Sequence, residues 1–321
     1  MNRLALGCFA CVLGAAAIGW IFGVGSNASG DEGPARAASA PATGASQPGA
    51  TTRPDTSDMV LVPAGEFVMG NDDPSAQMAS KPAHKVYLRS YYIAKYEVTK
   101  EEFCNFLNGA GKMTVEKGNI FDENGKMICR PDLLTTRGGK WVPMEGFAKH
   151  PVVSVTWYGA DRCARYFGKR LPTDAEWEKA ARAGTSTPWF FGDDPSKLDD
   201  YAWYIGNADR KTHEVGLKRP NQLGLYDIYG NVYEVVADWY STDYYAKSPT
   251  TQPTGPAQGT YHIRRGGSYY YSAKAGCNSW QRVTTQIGNE SEATIIDSNW
   301  GFRLAADAPA GTTTRASENR D

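Results

Sequence analysis

The sequence lacks the short motifs that identify the common hydrolases and nucleotide-binding enzymes. It contains no GxSxG nucleophile elbow, no HExxH zinc-binding helix and no glycine-rich phosphate loop ending in lysine. Outside the N-terminal apolar segment no CxxC pair occurs, which argues against a zinc site. The four histidines are dispersed and match no metal-binding triad. Local motifs therefore give no support for hydrolysis, phosphate binding or zinc chemistry.

The sequence also has little net charge. Its formal charge is -1, so no global electrostatic attraction to nucleic acid or to an anionic membrane is expected. What it does contain is 34 glycines, 18 tyrosines and nine tryptophans. Glycines allow many backbone turns, and wide aromatic side chains fill the space between irregular loops. We expect one domain of about 250 residues with little regular secondary structure.

The N-terminus predicts export. After Arg3 no charged residue occurs before Asp31, and residues 4–25 are apolar or small. This pattern is typical of a signal peptide over residues 1–30. An uncleaved signal anchor is the alternative, because the apolar run approaches the length that spans a bilayer.

The segments on either side of the domain are polar and of low complexity. Residues 31–57 are rich in Ala, Ser, Pro and Gly and are predicted to be a disordered linker, and residues 308–321 form a polar tail. The folded domain is therefore expected over residues 58–307. We expect it to be periplasmic or secreted, with membrane contact only through residues 4–25 if these are not cleaved.

Three helices are predicted from capping signals and apolar spacing. They run over residues 99–109, from 154 or 156 to 168, and over 173–184. Thr99 and Thr173 are each followed three residues later by glutamate, which is the capping-box spacing, and a glycine ends each segment. Apolar residues recur on one face of each helix.

Strand-like alternation is short and local. The predicted strands are residues 59–64, 66–69, 85–88, 91–94 and 262–265. Residues 108–150 are glycine-rich and polar, and we interpret them as an insertion that runs over the surface.

Four cysteines remain outside the N-terminal segment. An even number in an oxidising compartment permits three complete disulfide pairings, and the sequence does not choose among them. Cys104 and Cys163 lie on apolar helix faces, as small buried hydrophobes do. Cys129 lies in the insertion and needs a partner or stays exposed. Cys277 is either structural or a reactive, metal-binding thiolate.

A series of ordered sequence blocks resembles one known family. The blocks are MVLVPAGEFVMGN at 59–71, YYIAKYEVTKEEFCNFLN at 91–108, HPVVSVTWYGADRCARYFGKRLPTDAEWEKAARAG at 150–184, HEVGLKRPNQLGLYDIYGNVYEV at 213–235, RRGGSYYY at 264–271 and NWGFRL at 299–304. Together they resemble the sulfatase-modifying-factor family, whose founding activity is formylglycine generation. The resemblance implies an irregular α+β fold, rich in glycine and aromatic residues, that resembles a C-type lectin core.

The resemblance also points to a missing part. Formylglycine-generating members carry two cysteines after GGSY that bind copper and activate oxygen. Here Tyr271 occupies the first position, and Cys277 lies one residue away from the second. Copper as Cu(I) prefers sulfur ligands, so we expect no copper cofactor. Cys277 is the residue to which any remaining oxidase chemistry is assigned.

A structural calcium ion is the metal that the resemblance implies. The family's loop N/D-x-x-G-N-x-W-E binds calcium through its first side chain, two backbone carbonyls and the glutamate. The matching residues are Asp227, Gly230, Val232 and Glu234, and calcium accepts oxygen ligands of these kinds. The alternative is that the two carboxylates only cap the loop through backbone N–H groups.

Three functions compete at this point. We predict an exported domain that binds a small-molecule, peptide or protein ligand in the cell envelope and does not make formylglycine. An oxidative tailoring enzyme, of the kind that matures siderophores, is the alternative, and a true formylglycine-generating oxidase comes third. The predicted substrate-binding residues are Tyr269, Tyr271, Trp280 and Arg282, whose side chains can stack and form hydrogen bonds. Arg264, Arg265 and Arg303 are interpreted as scaffold residues.

Overall fold

The computed structural model describes residues 54–74, 76–272, 276–286, 298–309 and 311–312. The predicted signal segment lies outside these residues, as do most of the predicted linker and tail. In the ranges described, no helix combines the length and the apolar character needed to cross a membrane.

Short elements joined by long irregular connections make up the described part of the chain. The helices are α1 (Lys100–Gly109), α2 (Trp157–Tyr166), α3 (Asp174–Arg182) and the single turn α4 (Tyr244–Lys247). The strands are β1 (Met59–Val62), β2 (Gly65–Met69), β3 (His84–Leu88), β4 (Tyr91–Ala94), β5 (Thr114–Glu116), β6 (Asn119–Phe121), β7 (Met127–Cys129), β8 (Leu134–Arg137), β9 (Lys140–Pro143), β10 (Tyr233–Trp239), β11 (Tyr261–Arg265), β12 (Val283–Gln286), β13 (Trp300–Gly301) and β14 (Ala305–Asp307). The expectation of a mixed fold with little regular structure is confirmed.

The three predicted helices are present and begin at their predicted caps. Thr99 and Thr173 each close a capping box with the glutamate three residues on, and Thr156 caps α2 through the Gly159 N–H. These side chains satisfy backbone donors that have no partner inside the helix. The end of α3 differs from the prediction by one residue, because Ala183 already adopts the left-handed conformation, with φ of 47°.

Two sheets position the site. In the larger, the strand order is β12-β11-β10-β13, with β13 parallel to β10; in the other it is β1-β4-β14. All five predicted strands are present within these sheets and the β2-β3 hairpin. Two apolar clusters lie between the sheets and the helices, one around Trp177 of α3 and the other around Phe103 of α1.

The prediction that residues 108–150 form a polar surface insertion is wrong. This segment folds into the β5-β6-β7 sheet and the β8-β9 hairpin. Its Ile120, Ile128 and Cys129 are fully buried in the cluster that contains Phe103. The apolar residues are too few and too widely separated by glycines to produce a periodic signal, but the strand pairing brings them together against α2.

The cysteine expectations also need correction. Cys104, Cys129, Cys163 and Cys277 are all buried as free thiols. Cys129, expected to be either paired or exposed, instead packs in the core next to α2. Burial raises the pKa of each of these thiols, so they are protonated at neutral pH and behave as small apolar side chains.

Candidate functional site

A glycine turn after β11 carries the tyrosine cluster. Strands β10 and β11 pair with Glu234 opposite Arg265, and Gly266 and Gly267 follow with φ of 88° and 80°. This left-handed region is open to glycine without steric cost. A Cβ atom at Gly267 would lie 2.5 Å from the Cys277 sulfur, so glycine is needed there to leave room for the thiol.

Tyr271 and Cys277 lie close together but form no metal site. Tyr271 is 37% exposed, and its ring packs against Tyr233 with centroids 5.2 Å apart. Cys277 is fully buried, and burial raises its pKa to about 12. A copper ion bound by two thiolates does not fit here, because Tyr271 offers a phenol at the first copper position and Cys277 lies one residue away from the second.

A pocket of about 560 Å³ opens beside this cluster. We call it the Tyr269 pocket; its walls include Asp132, Leu133, Phe147, His150, Arg210 and Tyr269. A volume of roughly 300–1,000 Å³ is typical of small-molecule sites. Tyr269 is thus the predicted binding residue that lines a cavity, and Tyr271 lies two residues beyond it.

The polar groups of the Tyr269 pocket are held in fixed positions. The His150 ring nitrogen Nδ1 lies 3.0 Å from the hydroxyl of Thr212, and the Tyr269 hydroxyl donates to the Ser298 carbonyl at 3.1 Å. Burial, followed by the nearby Lys100 ammonium, lowers the pKa of His150 below its usual 6.5. The imidazole is therefore neutral at pH 7.5 and acts through hydrogen bonds rather than through charge.

Trp280 and Arg282 make their contacts elsewhere, so the expectation of one four-residue site with Tyr269 and Tyr271 needs correction. The Arg282 Nε lies 3.0 Å from Asp174, and its guanidinium stacks 4.1 Å from the ring centre of Tyr245. The Trp280 carbonyl accepts the Ser80 hydroxyl at 2.6 Å. The chain turns away from the tyrosine cluster after Cys277, which sequence proximity could not indicate.

Arg282 is part of a buried ionic network that supports the fold. Arg265 donates to Asp174 at 2.5 Å and to Glu178 at 2.9 Å, and Glu178 also accepts from Arg182. Arg265 is fully buried. Buried charges of this kind need full pairing, so this network agrees with the prediction of Arg265 as a scaffold residue.

The predicted calcium residues lie in a second buried ionic group. Glu234 is held on both carboxylate oxygens by Arg303, at 2.6 Å each, and its Oε2 also accepts the Trp177 indole at 2.7 Å. Asp227 Oδ2 accepts the Gly216 N–H at 2.7 Å, while its Oδ1 is buried without a hydrogen-bond partner. Burial is the main reason that the pKa of Asp227 rises to about 6.

Sequence reasoning missed Glu97, the third carboxylate of this group. It is buried and accepts hydrogen bonds from the Asn231 amide and the Val232 N–H. Burial, Asp227 and Glu234 together raise its pKa well above the usual value. The three carboxyl groups share the one guanidinium of Arg303, with a weaker attraction from Lys218, so two negative charges lack a partner when all three groups are ionised.

A divalent cation fits this charge excess, and the unsatisfied Asp227 Oδ1 is the atom that would bind it. Glu234 fits less well, because Arg303 and Trp177 already occupy its oxygens. Among the described residues no three acidic, histidine or cysteine side chains converge on one point. A calcium ion would therefore depend on backbone carbonyls, such as those expected from Gly230 and Val232.

Sequence comparison identifies relatives along most of the chain. The sulfatase-modifying factor enzyme 1-like domain matches residues 44–308. The formylglycine-generating enzyme of Streptomyces coelicolor is 35% identical over 307 residues, covering 85% of this chain and 96% of that protein. The serine/threonine-protein kinase pkn1 of Chlamydia pneumoniae is 37% identical over 256 residues, or 79% of this chain, and the match spans 38% of that longer protein.

A solved structure has the same fold. PvdO from Pseudomonas aeruginosa matches with a TM-score of 0.60 at 26% identity, covering 78% of this chain and 94% of the PvdO chain. The irregular, glycine-rich architecture expected from the sequence is therefore one that a solved protein shares.

Proposed function

Because this chain belongs to the sulfatase-modifying factor enzyme 1-like domain family, we propose that it uses the family's fold to bind a ligand, without making formylglycine. The binding site is the Tyr269 pocket together with the neighbouring Tyr271. The observation that carries the proposal is the loss of the paired thiols: an exposed phenol, Tyr271, stands at the first copper position, and the buried thiol of Cys277 lies one residue away from the second.

The chemistry of copper supports this proposal. Formylglycine generation in the family depends on two thiolates that hold the metal, and Cu(I) binds phenols poorly. Burial raises the pKa of the Cys277 thiol to about 12, so without a bound metal its sulfur is protonated and is a poor nucleophile. No step of the proposed function passes through copper.

Oxidative tailoring of a small molecule or peptide is the second candidate. One observation favours it: a Cβ atom built at Gly276, the residue before Cys277, would lie 2.8 Å from the Tyr233 hydroxyl and 3.4 Å from the Tyr271 Cβ, so a thiol is retained beside the tyrosine cluster. Such an enzyme would require Cys277 to become accessible and deprotonated when its substrate binds.

We also propose that the domain is exported and contains one structural calcium ion. Export rests on the apolar residues 4–25 and places the domain in the periplasm, outside the cell, or at the membrane surface if the segment is kept. Calcium rests on the charge excess around Asp227.

The calcium proposal predicts a stability change that depends on Asp227. Calcium at a hundred times its dissociation constant should stabilise the fold by about 2.7 kcal/mol, seen as a higher melting temperature than in EGTA. The variant Asp227→Asn should lose this response. Asp243→Asn, at an exposed surface position, is the matched control and should keep it. A calcium response in Asp227→Asn identical to that of the wild type would show that calcium does not bind at this site.

The function is tested by metal content and by reaction with a cysteine peptide from a sulfatase. We expect elemental analysis of the purified protein to find calcium without stoichiometric copper, and mass spectrometry to find the peptide unoxidised after incubation with copper, oxygen and reductant. Stoichiometric copper that disappears in Cys277→Ser, together with peptide oxidation, would overturn the proposal in favour of an oxidase.

A further inference from the structure

The charged groups of the Tyr269 pocket do not balance one another. Asp132 is attracted to the buried ammonium of Lys100, and Lys211 lies 4.0 Å from Asp209. Among the described side chains, no carboxylate lies within ion-pair distance of Arg210. The charged side chains that line the pocket are those of Asp132, Arg210 and Lys211, so these described residues give the pocket a net charge of +1.

The Arg210 guanidinium is held in place by an aromatic contact. It lies over the ring of Tyr270, 5.6 Å from the ring centre, and Tyr270 is half exposed next to Tyr271. This cation–π contact favours the observed position of the guanidinium, and a guanidinium can bind a carboxylate through two parallel hydrogen bonds.

The rest of the pocket suits a flat apolar ring. Phe147 and Tyr269 contribute aromatic surface, and Leu133 contributes an aliphatic wall. The ring of Phe147 is 4.9 Å from that of His150 and tilted by 54°, so the two rings form one continuous aromatic surface. Aromatic walls favour ligands that can stack or make edge contacts.

Two of the residues that line the pocket have a strained backbone conformation. Leu133 and Arg210 both line it and have φ of 58° and 55°, and Asp209 has φ of 50°. A residue other than glycine in this region costs of order 1–3 kcal/mol and persists where the surrounding structure holds it. Six other non-glycine residues among those described share this conformation, so the strain does not single out the pocket, but it does fix the backbone that carries Leu133 and Arg210.

From these observations we infer that the Tyr269 pocket binds a small aromatic monoanion, a planar ring that carries one carboxylate. Arg210 pairs with the carboxylate, while Phe147 and Tyr269 contact the ring. One unbalanced cation matches one negative charge, which favours a carboxylate over a phosphate dianion. This inference rests on the proposed binding function and names the class of its ligand.

Calorimetric titration of the full-length protein at pH 7.5 tests the inference with four probes of one shape. The probes are 4-hydroxybenzoate, 4-hydroxybenzyl alcohol, 4-hydroxybenzylamine and phenyl phosphate. We expect 4-hydroxybenzoate to bind about tenfold or more tightly than the neutral alcohol, as a charged hydrogen-bonded pair provides. The amine should bind most weakly, and phenyl phosphate should bind less tightly than the benzoate.

Variants assign the effect to Arg210. Arg210→Gln should reduce benzoate affinity about tenfold or more and leave the alcohol unchanged. Arg219→Gln is the matched control, since Arg219 is an exposed arginine with a distant surface partner, Asp200. Both residues are on the surface, so both variants should melt at the wild-type temperature.

Several results would overturn the inference. These are equal affinity for benzoate and alcohol, tighter binding of phenyl phosphate, no binding of any probe at millimolar concentration, or unchanged benzoate affinity in Arg210→Gln. Failure here is separable from failure of the proposed function. Copper-dependent peptide oxidation with intact benzoate selectivity would reject the function alone, whereas lost selectivity in a copper-free, non-oxidising protein would reject the ligand class alone.

Discussion

Replacing Arg303 with methionine should destabilise the domain more than any surface substitution. The guanidinium is fully buried and donates hydrogen bonds to both carboxylate oxygens of Glu234. It also donates to the carbonyls of Ala94, Lys95 and Tyr226. Methionine preserves much of the aliphatic volume but provides no charge and no donors. The substitution therefore removes the electrostatic partner of Glu234 and one hydrogen bond from each of three backbone carbonyls, of which that of Lys95 still accepts the Tyr226 N–H.

The expected loss is about 5 kcal/mol of unfolding free energy. Removing one partner of a buried ion pair costs about 3–5 kcal/mol, and the surroundings of Arg303 favour the upper end. Glu97 and Asp227 also depend on its charge, so three carboxylates lose their shared cation. Against a total stability of about 5–15 kcal/mol, such a loss is large enough to unfold much of the protein.

Urea unfolding at pH 7.5, followed by tryptophan fluorescence, measures this loss. Arg219→Met is the control, since its ion pair with Asp200 is 3.5 Å long and exposed, and such pairs contribute about 0–1 kcal/mol. Adding Glu234→Gln to Arg303→Met should cost less than the two single changes combined, because the neutral amide needs no counter-ion. A loss below about 1 kcal/mol for Arg303→Met would refute the assigned role of this buried pair.

Two further predictions concern pH and the glycine turn. Burial lowers the pKa of His262 to about 4, so the folded protein keeps this ring neutral while the unfolded chain takes up a proton below about pH 6.5. Stability is therefore present above pH 6.5 and falls by up to about 3 kcal/mol as the pH drops toward 4. His262→Phe should flatten that part of a thermal melting profile, and an unchanged slope would contradict the assignment. Gly267→Ala should cost more than about 2 kcal/mol in thermal unfolding, since its Cβ would meet the Cys277 sulfur. Gly125→Ala, which has a similar φ of 74° and nothing within 4 Å, should cost about 1 kcal/mol, and equal losses for the two would rule out the steric explanation.

Several features of the fold could be predicted because their causes are local. A threonine followed three residues later by glutamate satisfies backbone donors at a helix start whatever lies around it, and both Thr99 and Thr173 do so in the structure. Short alternating segments likewise paired as strands where they were expected. Calcium binding by the loop from Asp227 to Glu234 stays a prediction, made from residues that are close in sequence.

The site could be predicted only in part, because its members come from distant segments. Tyr269 was among the predicted residues, but His150 and Arg210 lie about 120 and about 60 residues before it in the chain. Neither has a local signal that separates it from an ordinary surface residue. Cys277 was identified as a possible thiolate, yet its burial and raised pKa depend on how Gly267 packs against it.

By itself, the sequence determined the family, the helix starts, most of the core strands and the loss of the paired copper cysteines, since each follows from residues that are neighbours along the chain. The tertiary structure alone decided that Arg282 pairs with Asp174 rather than lying beside Tyr271, that Arg303 pairs with Glu234, and that Arg210 lines the same pocket as His150 and Tyr269. The physical reason is that charge balance and burial are properties of a three-dimensional environment. They are set by side chains 30 to 200 residues apart, whose meeting no local pattern records.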